Sequence, residues 1–287
     1  MKVAGFTIVR NAVKYDYPIV EAITSVLPLC DEFIVAVGNS EDNTLDLIQA
    51  INSPKIRIIH TIWDDTLREG GRVLAVETDK AFQAISPEVD WCFYIQADEV
   101  VHEKYHTNIL QAMTKHKENK EIDGLLFHYK HFYGSYDYVG ESWNWYRNEI
   151  RIIRNITSFF SYSDAQGFRK KPNVKLNVKI IDAFIYHYGW VKHPKDMQSK
   201  ERSFNRLWHD DDWVEKIIGS SDKSYDYNDV ESLELFLESH PAVMKARIDK
   251  KDWVFNFDVT KKNYSLKEKI KRLIGLRIGE YKNYKIL

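Results

Sequence analysis

Four strand patterns at 3–9, 32–37, 56–62 and 91–95 alternate with stretches whose apolar residues recur at helical spacing, and this alternation restricts the fold more than any other feature. Pro18 opens one such stretch, carrying Ile19, Val20, Ile23, Val26 and Leu27; Thr44 opens a second, with Leu45, Leu47, Ile48 and Ile51. A third helical stretch, 72–85, leads through Pro87 into the run at 91–95. Strand and helix in strict succession imply an α/β fold: a Rossmann-like, mainly parallel sheet with helices on both faces.

After a helical pattern at 105–116 the rhythm changes. Segments 124–133, 150–153 and 180–188 read as strands, with an aromatic loop between the first two. From Pro194 onward the pattern is helical and charged, with Trp208, Trp213 and Trp253 as expected anchors between helices. No internal repeat or Pro/Gly/Ser-rich linker interrupts the chain, so a single domain is expected, with a core over 1–190 and a helical C-terminal extension over 191–287 packed on it.

The 287 residues, 44% hydrophobic and 29% charged, suffice for one substantial core. A formal charge of −1 provides no basic field, so no nucleic-acid partner is expected. Cys30 and Cys92 lie in apolar company and read as reduced core packing. The first residues enter a strand pattern with no secretory apolar region, and no run of about 18 apolar residues occurs, so a cytoplasmic protein is expected. Segment 261–285 carries nine Lys and Arg against Glu268 and Glu280, a local charge of about +7, with Leu266, Ile270, Leu273, Ile274 and Ile278 near one helical face. Such a helix either docks with its basic face in solvent or makes peripheral membrane contact with anionic lipid.

Residues 94–101, Tyr-Ile-Gln-Ala-Asp-Glu-Val-Val, hold the clearest chemical signal, because the run at 91–95 delivers acidic side chains at its carboxyl end. Ligands of parallel sheets bind there. Carboxylates in that position suit a hard divalent cation that neutralises a nucleotide diphosphate. The competing reading is that Asp98 or Glu99 caps a following helix.

The order of these segments resembles the GT-A glycosyltransferases, in particular the bacterial family 2 type that uses nucleotide-diphosphate sugars. The resemblance covers roughly the first 190 residues and rests on Phe6-Thr7-Ile8-Val9-Arg10-Asn11, Gly38-Asn39-Ser40-Glu41-Asp42-Asn43-Thr44, Gly70-Gly71-Arg72 and Gln96-Ala97-Asp98-Glu99. It implies that Thr7, Val9, Arg10 and Asn11 line the base and ribose, and that Asn39, Ser40 or Asp42 hydrogen-bonds the base edge, although Asp42 and Asn43 are also suited to capping the next helix. It further implies a divalent metal, Mn or Mg, at an Asp-x-Asp motif. Here Gln96 replaces the first Asp, leaving Asp98 as the direct ligand, Glu99 as a neighbouring carboxylate, and Gln96 and Ala97 facing the donor.

His187, in Tyr186-His187-Tyr188-Gly189-Trp190, is the expected second metal ligand, since enzymes of this fold often return a distant His or Asp to the metal; packing among Tyr and Trp is the alternative. Lys192, His193 and Lys200 follow as candidate counter-charges for the diphosphate, with exposed surface lysines as the alternative. Arg72, after two glycines and at a helix start, is a candidate phosphate contact or a plain loop-to-helix junction. Asp164, in the polar turn 161–167, is the candidate catalytic base, with turn formation as the alternative. Glu149, flanked by Arg147 and Arg151, is expected to be ion-paired and structural. The aromatic loop 131–145 serves either as an acceptor platform or as core.

These readings combine into a metal-assisted, inverting transfer of a sugar from a UDP- or GDP-linked donor to a saccharide or lipid-linked acceptor, with polysaccharide or glycoconjugate assembly as the expected setting. The other class is a non-catalytic nucleotide-sugar binding module, which the altered Gln96 motif keeps open. A nucleotidyltransferase would carry a Gly-rich basic phosphate loop near the amino terminus, and residues 6–12 lack one.

Overall fold

The computed structural model describes residues 1–220, 223–275 and 282–287. The chain opens with β1 (Val3–Val9), α1 (Ile19–Val26), β2 (Glu32–Val37), α2 (Thr44–Gln49), β3 (Ile56–His60), α3 (Arg72–Gln83) and β4 (Trp91–Tyr94). These strands form the parallel array β3-β2-β1-β4. Side-chain alternation along them builds two cores. Val3, Val9, Phe33, Val35, Val37, Trp91 and Phe93 face α1 and α2, whereas Ala4, Phe6, Ile8, Ile34, Ala36, Cys92 and Tyr94 face α3. Because both faces of β1, β2 and β4 are covered, those strands are almost wholly apolar, whereas the edge strand β3 exposes Arg57 and His60. Cys30 and Cys92 are free and buried.

The chain continues through β5 (Glu99–Val101), α4 (His106–His116), β6 (Gly124–Tyr133), β7 (Tyr138–Gly140), β8 (Asn148–Arg154), β9 (Phe159–Tyr162), β10 (Gly167–Lys170) and β11 (Val174–Trp190). The sheet order is β3-β2-β1-β4-β8-β6-β11-β10-β9, with β8 antiparallel to both β4 and β6. The expectation that Asp98 or Glu99 caps a helix is corrected: Glu99 begins β5, which pairs antiparallel with β11 in the register Glu99 to His187 and Val101 to Ile185. That short ladder returns residue 187 to the carboxyl end of β4.

Beyond residue 190 come α5 (Pro194–Asn205), α6 (Asp211–Ile217), β12 (Leu233–Leu235), α7 (Lys245–Asp249), α8 (Leu266–Leu273) and β13 (Tyr284–Ile286). The helical extension is therefore interrupted by long irregular stretches, and its two short strands join β7 and β11. Met197 and Met244 are fully buried, and Trp253 donates its indole N–H to the Gly134 carbonyl at 2.8 Å, so the extension is packed on the core. Trp213 instead stacks on His209, with ring centres 3.7 Å apart. Among the described residues no helix is long and apolar enough to cross a membrane.

Candidate active site

A cavity of about 540 Å³ opens at the carboxyl edge of β1 and β4. Val9, Arg10, Gln96, Ala97, Asp98, Asp164, His187 and Lys200, all singled out by the sequence, line it. Asp98 stands immediately after the β4 turn, with its side chain 14% exposed, and its backbone carbonyl accepts from Tyr188 N at 2.8 Å. The β5–β11 pairing thus brings His187 Nε2 to 3.7 Å from Asp98 Oδ2. Lys200 Nζ, from α5, is 3.3 Å from the same oxygen and donates to the Gly189 carbonyl at 2.7 Å. Burial by itself would raise the Asp98 carboxyl, but Lys200, His187 and Lys192 outweigh it and hold the group well below the usual carboxylate range. Asp98 is therefore an anion at any physiological pH.

Hydrogen bonding places a hydrogen on His187 Nδ1. His131 Nε2 lies 2.7 Å from the Tyr146 carbonyl, which only accepts, so that nitrogen carries the hydrogen. Burial, followed by the nearby His187, pushes the His131 ring down to about 3, so it is neutral and its Nδ1 accepts. The His187 Nδ1, 3.1 Å away, must be the donor. His187 Nε2 faces the Asp98 carboxylate 3.7 Å away, with room for a proton or a metal ion between them. Gly189 keeps that space open, since a Cβ there would lie 2.6 Å from His187 Nε2 and 2.7 Å from Asp98 Oδ2.

A carboxylate and an imidazole are donors that suit a divalent ion. The pair does not form a self-sufficient metal site, because among the described residues no group of three His, Cys, Asp or Glu converges. Glu99, expected as a neighbouring metal carboxylate, is corrected. It is fully buried and faces away from the cavity, accepting from Arg151 Nε and Nη2 at 2.8 and 2.7 Å, from Tyr129 OH at 2.7 Å and from Gln96 N at 3.1 Å. A carboxylate with four donors has no lone pair left for an ion.

The other side of the cavity is a strained turn. Asp164 lies between β9 and β10, flanked by Ser163 and Ala165 at φ 58° and 63°. Left-handed non-glycine residues on both sides of one aspartate cost free energy that the surrounding packing has to offset. Gly71, at φ 67°, makes room beneath: a Cβ there would lie 2.8 Å from the Asp164 Cβ. Burial raises the Asp164 carboxyl above its ordinary value. Gln96 Nε2 donates to the Ala165 carbonyl at 3.2 Å, so Gln96 ties the Asp98 loop to the Asp164 turn.

Several expected contacts do not reach the cavity. Thr7 is fully buried within β1. Asn11 N donates to Ser40 Oγ at 3.0 Å, and Asn11 Oδ1 accepts from Glu41 N at 2.7 Å. Asp42 accepts from Lys14 N at 2.7 Å and from the Thr44 backbone and hydroxyl, and Asn39 Oδ1 accepts from Trp63 N at 3.1 Å. Asn11, Asn39, Ser40 and Asp42 thus brace the loops after β1 and β2 instead of lining the cavity. Arg72 is exposed and is also absent from the lining; of the two glycines before it, Gly71 serves close packing, while Gly70 has open space around it at φ 59°. Glu149 departs from its expected role too: Arg151 is committed to Glu99, and Glu149 is left with the Gln166 amide at 2.7 Å and one unpartnered oxygen. Burial pushes it up to about 8. In the aromatic loop Phe132, Tyr133, Tyr136 and Tyr138 are buried, so those residues are core.

Sequence reasoning missed the aromatic wall. Tyr17, Trp63, Tyr146 and Trp190 line the cavity, and the Arg10 guanidinium lies 4.6 Å from the Trp63 ring while pairing with Asp65 at 2.8 Å. The available signal was positional: Trp63 follows β3 at the same sheet edge, and Trp190 follows His187 by three residues. Lys192 was also misjudged. It is fully buried behind Lys200, donates to the Asp16 carbonyl at 2.5 Å, and is lowered to about 7 by burial and by Lys200.

No protein-family model matches the chain, and no curated protein sequence matches it. Similar solved structures include S. aureus TarS, at 15% identity and TM-score 0.42 over 71% of this chain and 39% of that one. TarS 1-349 in complex with UDP gives 15% identity and TM-score 0.40 over 70% and 64%. Glucosyl-3-phosphoglycerate synthase from Mycobacterium tuberculosis, in complex with Mn2+, UDP and phosphoglyceric acid, gives 19% identity and TM-score 0.30 over 46% and 43%. This chain therefore spans well under half the length of the first of these proteins, and similarity at this level assigns neither a family nor an activity.

Proposed function

We propose that the cavity takes a UDP- or GDP-linked sugar and that the protein transfers the sugar to a saccharide or lipid-linked glycoconjugate acceptor, with inversion at the anomeric carbon. The observation that carries this reading is the meeting of Asp98, His187 and Lys200 at the carboxyl edge of β4, inside a cavity large enough for a nucleotide. The strand array, the acidic loop after β4 and the returning histidine also follow the order expected from the GT-A resemblance.

In this reading Asp98 and His187 hold a divalent ion, Mn or Mg, which supplies positive charge to the departing diphosphate. Lys200 and Arg10 add fixed cations on the same side. Val9 and Trp63 contact the nucleoside, while Tyr17, Tyr146 and Trp190 offer apolar faces to sugar C–H groups and exclude water. Asp164 removes the acceptor hydroxyl proton; burial raises its affinity for protons and makes it a stronger base than an exposed aspartate. Polysaccharide or glycoconjugate assembly in the cytoplasm is the setting that this chemistry fits.

Thermal unfolding with UDP and GDP, each with and without Mn, tests the reading. A bound nucleotide at about 100 times its Kd adds about 2.7 kcal/mol of stability, and Asp98→Asn should remove the Mn-dependent part. Unchanged unfolding with both nucleotides and either metal would remove the proposed donor. Stabilisation without release of nucleoside diphosphate from any donor would leave a binding module instead of an enzyme.

A further inference from the structure

Helix α8 is attached to the body by its polar side. Glu268 is 4% exposed and accepts from Trp143 N at 2.9 Å and from Arg272 Nε at 2.8 Å, while Arg272 Nη1 reaches Glu141 at 2.7 Å. Ser265 Oγ caps the helix by accepting from Glu268 N at 3.2 Å. The apolar side consequently points outward: Leu266 is 76% exposed, Ile270 54%, Leu273 87% and Ile274 51%. An amphipathic helix ordinarily buries the opposite face. Ile278, expected on the same face, lies outside the described residues.

At about 100° per residue, Leu266, Ile270, Leu273 and Ile274 share one arc, and Glu268 and Arg272 lie roughly opposite. Lys267 and Lys271 fall on one margin of the apolar arc and Lys269 on the other; Lys267 and Lys269 are exposed and Lys271 is half-buried. Lys261 adds a further exposed cation just before the helix. An apolar strip edged on both sides by ammonium groups matches a bilayer surface, where the leucines enter the acyl boundary and the lysines meet anionic headgroups. A second copy of the chain is a poorer occupant, because a two-fold contact through this face brings one basic margin against another.

We propose that the outward face of α8 docks on an anionic lipid bilayer and holds the protein at a membrane surface. The argument uses only α8 and its attachment, so it stands or falls separately from the sugar-transfer reading. The test is co-sedimentation of the full-length protein with vesicles of phosphatidylcholine alone or containing phosphatidylglycerol, at low and high salt. Binding should be at least about ten-fold tighter to the anionic vesicles and should weaken with salt. Leu273→Glu and Ile270→Glu, both at exposed positions, should each weaken it about ten-fold or more while leaving the circular dichroism and unfolding midpoint unchanged. Absence of binding to anionic vesicles, or binding that the two variants do not alter, would overturn the proposal. So would a dimer in sedimentation velocity that Leu273→Glu dissociates, since that result would give the face to a second copy.

Discussion

Asp98 and Glu99 share a peptide bond, yet they belong to different regions of the molecule. Asp98 faces the cavity with a histidine and a lysine beside it, whereas Glu99 faces inward and is saturated by Arg151, Tyr129 and a backbone amide. Asp98 lies in the turn after β4, closed by Glu99 N donating to the Gln96 carbonyl at 3.1 Å, and Glu99 begins β5, so one acidic dipeptide supplies both an available carboxylate and a structural one. The difference lies in partners rather than in charge. A carboxylate is free to act on a ligand only where the fold leaves a lone pair unclaimed, and a buried one that is fully claimed serves to hold its neighbourhood in place.

The largest effects should separate those two regions by what they disturb. Asp164→Asn, on the cavity side, should lower sugar transfer by about 10²–10⁴-fold while nucleotide affinity stays within a factor of about three, as read by steady-state kinetics and calorimetry. Equal loss of binding and turnover would make Asp164 a structural residue and blur the comparison. Glu99→Ala, on the sealed side, strands the Arg151 guanidinium and should cost about 3–5 kcal/mol in urea unfolding. By contrast, Asp98→Asn should cost much less, because Lys200 keeps the Gly189 carbonyl and the site remains partly open to water. If Asp98→Asn proves the more destabilising of the two, the distinction between available and structural carboxylates fails.

A third test probes the link between the regions. His131→Phe removes the acceptor that orients His187, and Mn affinity in the presence of UDP should fall about 10–100-fold, measured by titration calorimetry. An unchanged affinity would show that His187 is oriented by other contacts. A fourth test concerns Glu149. Its folded-state value, raised to about 8, exceeds the ordinary carboxyl value, so the folded protein keeps a proton that the unfolded chain releases. This contribution to stability is fully present below about pH 4.3 and is lost as pH rises through about 8, at about 1.4 kcal/mol per pH unit in between. Glu149→Gln should flatten that slope in unfolding measurements from pH 5 to 8. A slope identical to that of the parent protein would assign the buried proton elsewhere.

Much of the core was legible in the sequence, because burial on both faces of the central parallel strands demands unbroken apolar runs such as 33–37 and 91–95. Asp98, His187, Lys200 and Asp164, singled out in the sequence, line one cavity; for Asp98, His187 and Asp164 the signal was a strand end or polar turn at one sheet edge, whereas Lys200 comes from α5. Asn11, Ser40 and Asp42 were not read correctly: short polar side chains in adjacent loops satisfy one another as readily as a ligand, and sequence does not say which. Glu149 was misread because adjacent arginines were assumed to be its partners, whereas the strand sends Arg151 to Glu99.

By itself the sequence determined the order of strands and helices, the two-sided burial of the parallel array and the presence of an acidic loop beyond β4. Those properties depend on local periodicity and on residue type, both of which are written along the chain. Only the tertiary structure decided that β5 pairs with β11, which brings His187 to Asp98 from 89 residues away. It alone turned Glu99 to Arg151 and set the apolar face of α8 outward. Each of those outcomes depends on a choice among competing long-range partners, and that choice is made by packing and desolvation in three dimensions.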